Sequence, residues 1–212
     1  TIVVTCSTGQ GPAIGGSGLT ARRIARGLHA HGHRVHWVGL GSDPKHPQDE
    51  GLIYHEVAPV NKEGLWQFPV HFYPLVEKLI AVCLTETVDV LHAHYLFPWG
   101  YAALEASKAL AAMGIRVPVV MRPAGTDIWD LGKKMPYLTR SIIERSDHVI
   151  CNTRGFLANL MEVIEVGELP KPQFTLTLIP NPIQDIFRRG DPLFRRAHGI
   201  SDSTIVVGVV GN

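Results

Sequence analysis

The amino-acid sequence predicts an α/β fold, a Rossmann-like doubly wound parallel sheet of about seven strands. Short apolar segments rich in valine and isoleucine alternate along the chain with longer segments of helical periodicity. Strands that are apolar along most of their length are typical of parallel sheets, because helices cover both faces of such sheets. The 212 residues are enough for one large domain, or for one and a half, with a substantial core.

The first half of the chain begins with an apolar strand from Ile2 to Cys6, and a glycine-rich turn follows it. The next helix has apolar residues at i, i+3, i+4 and i+7, which are Ala21, Ile24, Ala25 and Leu28. Further strands are expected at residues 35–40, 52–57 and 88–92, with a helix from about residue 70 to residue 86.

The second half continues the same alternation of strands and helices. An alanine-rich helix from Ala102 to Met113 ends at Gly114, as helices commonly do at glycine. The remaining predicted strands are residues 117–121, 147–151 and 175–179, and the remaining predicted helices are residues 137–145 and 156–164.

The tail of the chain differs in composition from the rest. Residues 1–180 form the predicted Rossmann-like domain, and residues 181–203, rich in Pro, Arg and Gly, are expected to be a connection. Residues 204–212 contain a new apolar strand, which we interpret as the start of a truncated C-terminal domain. The alternative is that this strand completes the first sheet.

Composition excludes several classes of protein. The content of 45% hydrophobic and 18% charged residues is typical of a globular chain. A net charge of +1 gives no support to nucleic-acid binding through a broad basic field, and no apolar run approaches the length of a membrane span. Cys6, Cys83 and Cys151 are few and far apart, which favours reduced thiols and a cytoplasmic protein.

The glycine-rich turn is the first candidate binding element. It contains Gly9, Gly11, Gly15, Gly16, Ser17 and Gly18. Glycine lets a backbone approach a ligand closely, and the N–H groups at a helix N-terminus favour an anion. We therefore expect a phosphate-bearing ligand near Gly16; the alternative is a tight strand-to-helix turn with Ser17 as the N-cap.

Polar residues also follow four other predicted strands. In doubly wound sheets ligands bind beyond the carboxyl ends of the strands, so these segments are expected to meet at one edge and form a site. The segments are His92-Ala93-His94-Tyr95, Arg122-Pro123-Ala124-Gly125-Thr126-Asp127, Asn152-Thr153-Arg154 and Pro180-Asn181-Pro182.

Read together, these segments resemble the N-terminal domain of family 4 glycosyltransferases, which are retaining enzymes of GT-B fold. The resemblance is carried by Gly15-Gly16-Ser17-Gly18, Gly32-His33-Arg34-Val35, His92-Ala93-His94-Tyr95, Gly125-Thr126-Asp127-Ile128, Asn152-Thr153 and Ile179-Pro180-Asn181. Within the family the chain is most similar in appearance to glucosaminyl-malate synthases of bacillithiol biosynthesis, which also have a segment like Tyr54-His55-Glu56-Val57.

The resemblance implies a two-domain enzyme with its active site in the cleft between the domains. The N-terminal domain of such an enzyme mainly binds the acceptor, and the C-terminal domain holds most of the nucleotide sugar. The implied reaction transfers a hexosyl group from a UDP- or GDP-sugar to a small hydroxyl acceptor; a glycan-linked or lipid-linked acceptor is the alternative. We expect negligible transferase activity from these 212 residues alone.

The resemblance also implies roles for individual residues. Gly15, Gly16, Ser17 and Gly18 would close over the donor diphosphate. The acceptor and the sugar would be bound by His94, Tyr95, Arg122, Gly125, Thr126, Asp127, Asn152, Thr153 and Asn181. For Asp127 the alternative to holding a sugar hydroxyl is capping the following turn. Relatives often have His where this chain has Ala124, which leaves the donor sugar open.

Catalytic residues are not identified by the sequence, since no residue is a convincing general base. No resident cofactor is expected, because the nucleotide sugar is a substrate. No metal is expected either, because His92 and His94 have no evident third and fourth ligand nearby. Two other functions remain open: a dinucleotide-dependent enzyme, for which only Asp43 offers an acidic ribose ligand, and a non-catalytic sugar- or phosphate-binding module.

Overall fold

The computed structural model describes residues 1–6, 16–40, 51–57, 72–182 and 196–201. The chain divides into two compact units, residues 1–181 and residues 182–212. In the described part of the second unit, the Gly199 N–H donates to the carbonyl of Arg196 at 3.2 Å and closes a turn. The predicted connection lies mostly outside the described residues, and the predicted strand within 204–212 lies wholly outside them.

The first unit is built on a sheet of seven parallel strands in the order β3-β2-β1-β4-β5-β6-β7. The strands are β1 (Ile2–Thr5), β2 (Val35–Leu40), β3 (Ile53–Val57), β4 (Val90–His94), β5 (Val119–Arg122), β6 (His148–Cys151) and β7 (Leu176–Leu178). The order reverses at β1, as expected for a doubly wound sheet. The predicted fold class and the predicted number of strands are confirmed.

The helices within the described residues are divided unequally between the two faces of the sheet. They are α1 (Gly16–Ala30), α2 (Phe72–Thr85), α3 (Tyr101–Ala112), α4 (Pro136–Arg145) and α5 (Arg154–Ile164), with π-helical segments at Leu96–Gly100 and Asp127–Gly132. The chain crosses from β1 toward one edge through α1 and returns toward the other edge through α2 to α5. Right-handed crossovers therefore place α1 on one face and the other four helices on the opposite face.

Two separate clusters of buried apolar residues reflect this division. The larger cluster joins β4, β5 and β6 to α2, α3, α4 and α5, and contains Leu79, Leu91, Met121 and Leu160. The smaller cluster lies under α1, where Ala21 and Ala25 pack on the strand residues of that face. The small side chains on α1 let the helix lie close to the sheet. All three cysteines of the chain are buried, and none forms a disulfide.

Two local predictions are corrected by the structure. The fourth strand runs from Val90 to His94 rather than from Val88 to His92, so both histidines lie within the strand. Asp89 still pairs its N–H with the Thr1 carbonyl, but the ladder with β1 begins at Val90. Helix α1 begins at Gly16, so Ser17 is its second residue and not its N-cap.

Candidate functional site

Polar strand residues are concentrated on the face of the sheet that α1 covers. His94 on β4 and Arg122 on β5 are register partners, so their side chains point to the same face of this parallel sheet. His92 lies two residues before His94, and the centroids of the two imidazole rings are 4.6 Å apart. The expectation that both histidines lean the same way is confirmed.

A cavity of about 260 Å³ opens at the carboxyl ends of these strands. Its walls come from the first turns of α1 and from the segments that follow β4, β5, β6 and β7. The lining residues are Gly16, Ser17, Thr20, His94, Tyr95, Arg122, Pro123, Ala124, Gly125, Trp129, Asn152, Phe156 and Asn181. The predicted meeting of polar segments at one edge of the sheet is therefore observed within the first unit.

Among the described residues that line this cavity, Arg122 has the only cationic side chain, and it is nearly buried, with 4% of the residue exposed. Its Nη2 donates to Asn181 Oδ1 at 2.6 Å and to the Ile179 carbonyl at 3.4 Å. Both acceptors are neutral, and no carboxylate of the described residues forms an ion pair with it. Burial lowers the pKa of Arg122, but an arginine keeps its proton in proteins. The positive charge therefore lacks a counter-ion within the described part of the chain.

His94 and Asn152 present polar atoms without partners. His94 is 1% exposed, and its Nε2 has no hydrogen-bond partner in the described structure. The Oδ1 of Asn152 is likewise unpaired. Burial, assisted by the charges of His92 and Arg122, holds the pKa of His94 well below its usual value, so the imidazole is neutral near pH 7. Unpaired buried polar atoms in a cavity wall are available to a ligand.

The N-terminus of α1 adds a second source of positive potential. The 15-residue helix has no acidic residue in its first turn, and Gly16, Ser17 and Thr20 line the cavity. The unpaired N–H groups of a helix N-terminus attract an anion. The Thr20 hydroxyl is used within the helix, since it donates to the Gly16 carbonyl at 2.8 Å.

Tyr95 has a strained backbone. Its φ of 74° and ψ of 142° lie in a region that residues other than glycine rarely adopt. Its ring packs edge-on against Trp99 at a centroid distance of 5.8 Å. Its hydroxyl is 3.1 Å from Thr126 Oγ1, so the segments after β4 and β5 are in contact beside the cavity.

Asp127 lies beneath the cavity and does not line it. The residue is fully buried, and its carboxylate accepts the N–H of Leu96 at 2.8 Å and the N–H of Ala124 at 2.9 Å. Burial outweighs these donors and raises the pKa of the carboxyl to about 7. In this structure the Asp127 carboxylate binds backbone N–H groups, and Asp127 is not among the residues that line the cavity.

Several other predicted site residues lie outside the cavity lining. Thr153 is exposed, and its side chain is the N-cap of α5, accepting the Phe156 N–H at 3.0 Å. Gly18 is buried within α1, and Thr126 faces Tyr95. Gly15 and Asp43 lie outside the described residues.

Sequence reasoning missed Thr20, Trp129 and Phe156 as lining residues. Trp129 is 52% exposed although it is large and apolar, and its ring packs at 6.2 Å on that of Phe156. An aromatic residue soon after the predicted turn at Gly125 was a usable signal for Trp129. Phe156 shares the helical periodicity of core residues, so its pattern did not distinguish the two roles.

The part of the chain that the structure describes contains neither a metal-binding cluster nor a membrane-spanning helix. No three His, Cys, Asp or Glu side chains are grouped so that they could hold a metal ion. No described helix is both long enough and apolar enough to cross a membrane.

Comparison with known proteins gives the family. The model of Glycosyltransferase Family 4 matches residues 14–185. The chain belongs to Glycosyltransferase Family 4. This family 4 chain is 28% identical over 215 residues to an N-acetyl-alpha-D-glucosaminyl L-malate synthase of Bacillus anthracis, and the match covers 100% of the chain and 53% of the synthase. The chain thus spans about half the length of this curated relative.

Solved structures share the fold of this family 4 chain. A sucrose-phosphate synthase from Thermosynechococcus elongatus matches 84% of the chain and 47% of its own length, with 17% identity and a TM-score of 0.59. Anabaena HepE in complex with UDP and glucose matches 93% of the chain and 50% of its own length, with 17% identity and a TM-score of 0.58. These likenesses show the fold. The match of the family model confirms the family that the sequence motifs indicated.

Proposed function

We propose that this chain is the acceptor-binding half of a retaining glycosyltransferase, which transfers a hexosyl group from a nucleotide diphosphate sugar to a small hydroxyl acceptor. Membership of family 4 supports the reaction class. The cavity at the carboxyl edge supports the presence of a ligand site in this half, because polar groups from four strand ends and one helix N-terminus line it.

The acceptor carries a negative charge in this proposal. The observation that supports this charge is the guanidinium of Arg122, which lines the cavity and has only neutral partners among the described residues. A buried charge without a counter-ion is costly, and an anionic ligand would compensate it. The relative from Bacillus anthracis is named for L-malate, a hydroxy acid with two carboxylates.

Individual roles follow from position in the cavity. Arg122 binds an acceptor carboxylate, while His94 Nε2, Asn152 Oδ1 and the Tyr95 hydroxyl orient the acceptor. Gly16 and Ser17 at the start of α1 lie toward the donor diphosphate, which the helix N-terminus would stabilise as it leaves. Burial makes His94 a weak base, which suits a front-face mechanism driven by the leaving group.

The test measures binding of L-malate and of UDP to the purified chain. Trp129 is an exposed tryptophan in the cavity wall, whereas Trp37 and Trp99 are buried, so ligand binding should change the intrinsic fluorescence. The variant W129F identifies the signal that comes from Trp129. We expect a saturable change with L-malate.

The variant R122M tests the charge that carries the proposal. We expect it to weaken L-malate binding by at least about tenfold, the equivalent of ~1.4 kcal/mol, because a charge-assisted hydrogen bond is lost. The matched control R116M changes an arginine that is 88% exposed at the amino edge of the sheet, and it should bind as the unmodified chain does. Equal L-malate affinity in R122M and R116M would refute an acidic acceptor at this cavity.

A further inference from the structure

The strained backbone conformation of Tyr95 requires surrounding contacts that stabilise it. Its φ and ψ cost on the order of 1–3 kcal/mol for a residue with a side chain, and such conformations persist where surrounding contacts enforce them. Three backbone contacts surround the residue. The Tyr95 N–H donates to the Arg122 carbonyl at 3.1 Å, its carbonyl accepts from Gly100 at 3.0 Å, and the next N–H, that of Leu96, donates to Asp127 at 2.8 Å.

Of the three contacts around the Tyr95 backbone, only that of Asp127 comes from a side chain. The same carboxylate also contacts the Ala124 N–H, in the segment after β5. Its Oδ2 is 2.8 Å from the Leu96 N and 3.1 Å from the Ala124 N, and its Oδ1 is 2.9 Å from the Ala124 N. Leu96 follows Tyr95, and Ala124 lies in the cavity wall. One buried carboxylate therefore joins the segment after β4 to the segment after β5.

We infer that Asp127 is a positioning residue, which fixes the backbone on either side of the cavity so that the Tyr95 side chain faces the acceptor. Asp127 itself touches no ligand. The inference rests on the proposed function for the identity of the acceptor, but the restraint on Leu96 and Ala124 is independent of it.

The geometry explains why a carboxylate is needed at this position. Each of the two N–H groups requires an acceptor, and a carboxylate has two acceptor oxygens and no donor. An asparagine in the same place has one acceptor oxygen, and its NH₂ group would face a backbone N–H. With the amide oxygen at the Oδ2 position, the NH₂ group takes the Oδ1 position, 2.9 Å from the Ala124 N, where two donors repel each other. The variant D127N therefore loosens the Ala124 segment while it preserves the size of the side chain.

The first experiment is a double-mutant cycle on ligand binding by fluorescence, with L-malate and UDP as probes. We expect D127N to weaken L-malate binding about tenfold and to change UDP binding by less than about twofold. In the Y95A background, D127N should add less than about twofold, because the side chain that it positions is absent. The control D130N alters an exposed carboxylate on the same segment, which pairs with Lys134, and should bind both probes normally.

Additive effects of D127N and Y95A on L-malate binding would overturn the inference, and so would an equal loss of affinity for both probes. An equal loss of affinity for L-malate and UDP is what a general loss of structure in D127N would produce. These outcomes leave the proposed acceptor in place, because the R122M test is separate from them.

The second experiment is amide hydrogen exchange, which requires no ligand. In the unmodified chain we expect the amides of Leu96 and Ala124 to be protected, and in D127N one of them should exchange at least about tenfold faster. Unprotected Leu96 and Ala124 amides in the unmodified chain would overturn the restraint, even where D127N does not fold. If L-malate fails to bind the unmodified chain while both amides are protected, the proposed function fails and the restraint stands.

Discussion

Two buried histidines on one strand differ in whether they reach the cavity. His92 and His94 lie on the same strand and face, and burial keeps both imidazoles neutral, with the pKa of His92 lowered to about 4. The Nε2 of each ring lacks a partner in the described structure. They differ in position, since His94 lines the cavity and His92 lies deeper along the strand. Of the two imidazoles, only that of His94 is therefore placed where a ligand in this cavity could contact it.

We expect the substitution H94F to stabilise the fold and to weaken binding. Phenylalanine has a similar shape and removes an unpaired polar atom, so the free energy of unfolding should rise by about 1 kcal/mol, while L-malate affinity should fall about tenfold. Urea denaturation and fluorescence titration measure the two quantities. The control H92F should give a similar gain in stability with unchanged affinity. Loss of affinity in H92F equal to that in H94F would contradict a specific role for His94.

Local sequence identified the residues that reach the cavity from strand ends, such as His94, Arg122 and Asn152. It did so because the carboxyl ends of parallel strands lie at one edge of the sheet, which places these residues together. It could not assign Asp127, whose carboxylate binds the backbone of a residue 31 positions earlier in the chain. A contact of that kind depends on how two loops fold over each other, and no local pattern encodes it.

The segment between β4 and α3 is packed without spare room. A Cβ atom on Gly100 would lie 2.8 Å from the Tyr95 carbonyl oxygen and would also collide with the side chain of Met121. Gly100 has ordinary helical φ and ψ, so its need for glycine comes from space and not from backbone conformation. Gly100 also donates its N–H to the Tyr95 carbonyl at 3.0 Å, so this packing contacts the strained Tyr95 backbone directly.

The variant G100A should therefore destabilise the protein by about 2 kcal/mol, the cost of overpacking a core, and lower the Tm by about 4–8 °C. The matched control is G155A in α5, where an added Cβ meets nothing within 4 Å. The control should stabilise the protein by about 0.5–1 kcal/mol, since alanine favours a helix. Calorimetry measures both. A G100A variant as stable as G155A would contradict the packing described here.

The boundaries of β4 show why element ends are harder to predict than element types. Val88 continues the apolar pattern, and the polar His94 reads as the beginning of a loop. In the structure the ladder with β1 begins at Val90, and α1 together with the cavity wall covers His94. Pairing register and the cover from a distant helix set these ends, and neither is visible within the segment itself.

At the scale of the whole molecule, we expect buried and half-buried histidines to make stability depend on pH. His36 on β2 and His55 on β3 stack with their ring centroids 5.1 Å apart, and His36 Nδ1 lies 2.8 Å from His55 Nε2. Arg34 Nε donates to His36 Nε2 at 3.2 Å, so His36 carries its proton on Nδ1 and donates it to His55. Burial lowers the pKa of both groups below the ordinary value of 6.5.

A histidine whose pKa is lower in the folded state binds protons preferentially when the chain unfolds. The histidine contribution to the free energy of unfolding should therefore be constant above about pH 7 and fall as the pH drops below about 6.5, by up to ~1.4 kcal/mol per pH unit for each such histidine. Asp127 has the opposite effect, because the pKa of its carboxyl is raised to about 7 and its protonation in the folded state stabilises the fold as the pH drops. It is only one group. Four histidines with lowered pKa values outweigh it.

Urea denaturation at a series of pH values between about 7 and 5 measures the effect. The variant H55Q should flatten the dependence, and the exposed His33 offers the matched control H33Q, which should leave it unchanged. A free energy of unfolding that stays level down to about pH 5 would contradict the lowered pKa values.

The unequal division of helices has a consequence for how the molecule fluctuates. Among the described residues, four helices pack on the larger cluster of buried residues, whereas α1 packs on the smaller one. An element with fewer buried contacts opens at a lower free energy than the global unfolding of the domain. We therefore expect helix α1, which supplies Gly16 and Ser17 to the cavity, to open locally at a lower free energy than the helices on the opposite face of the sheet.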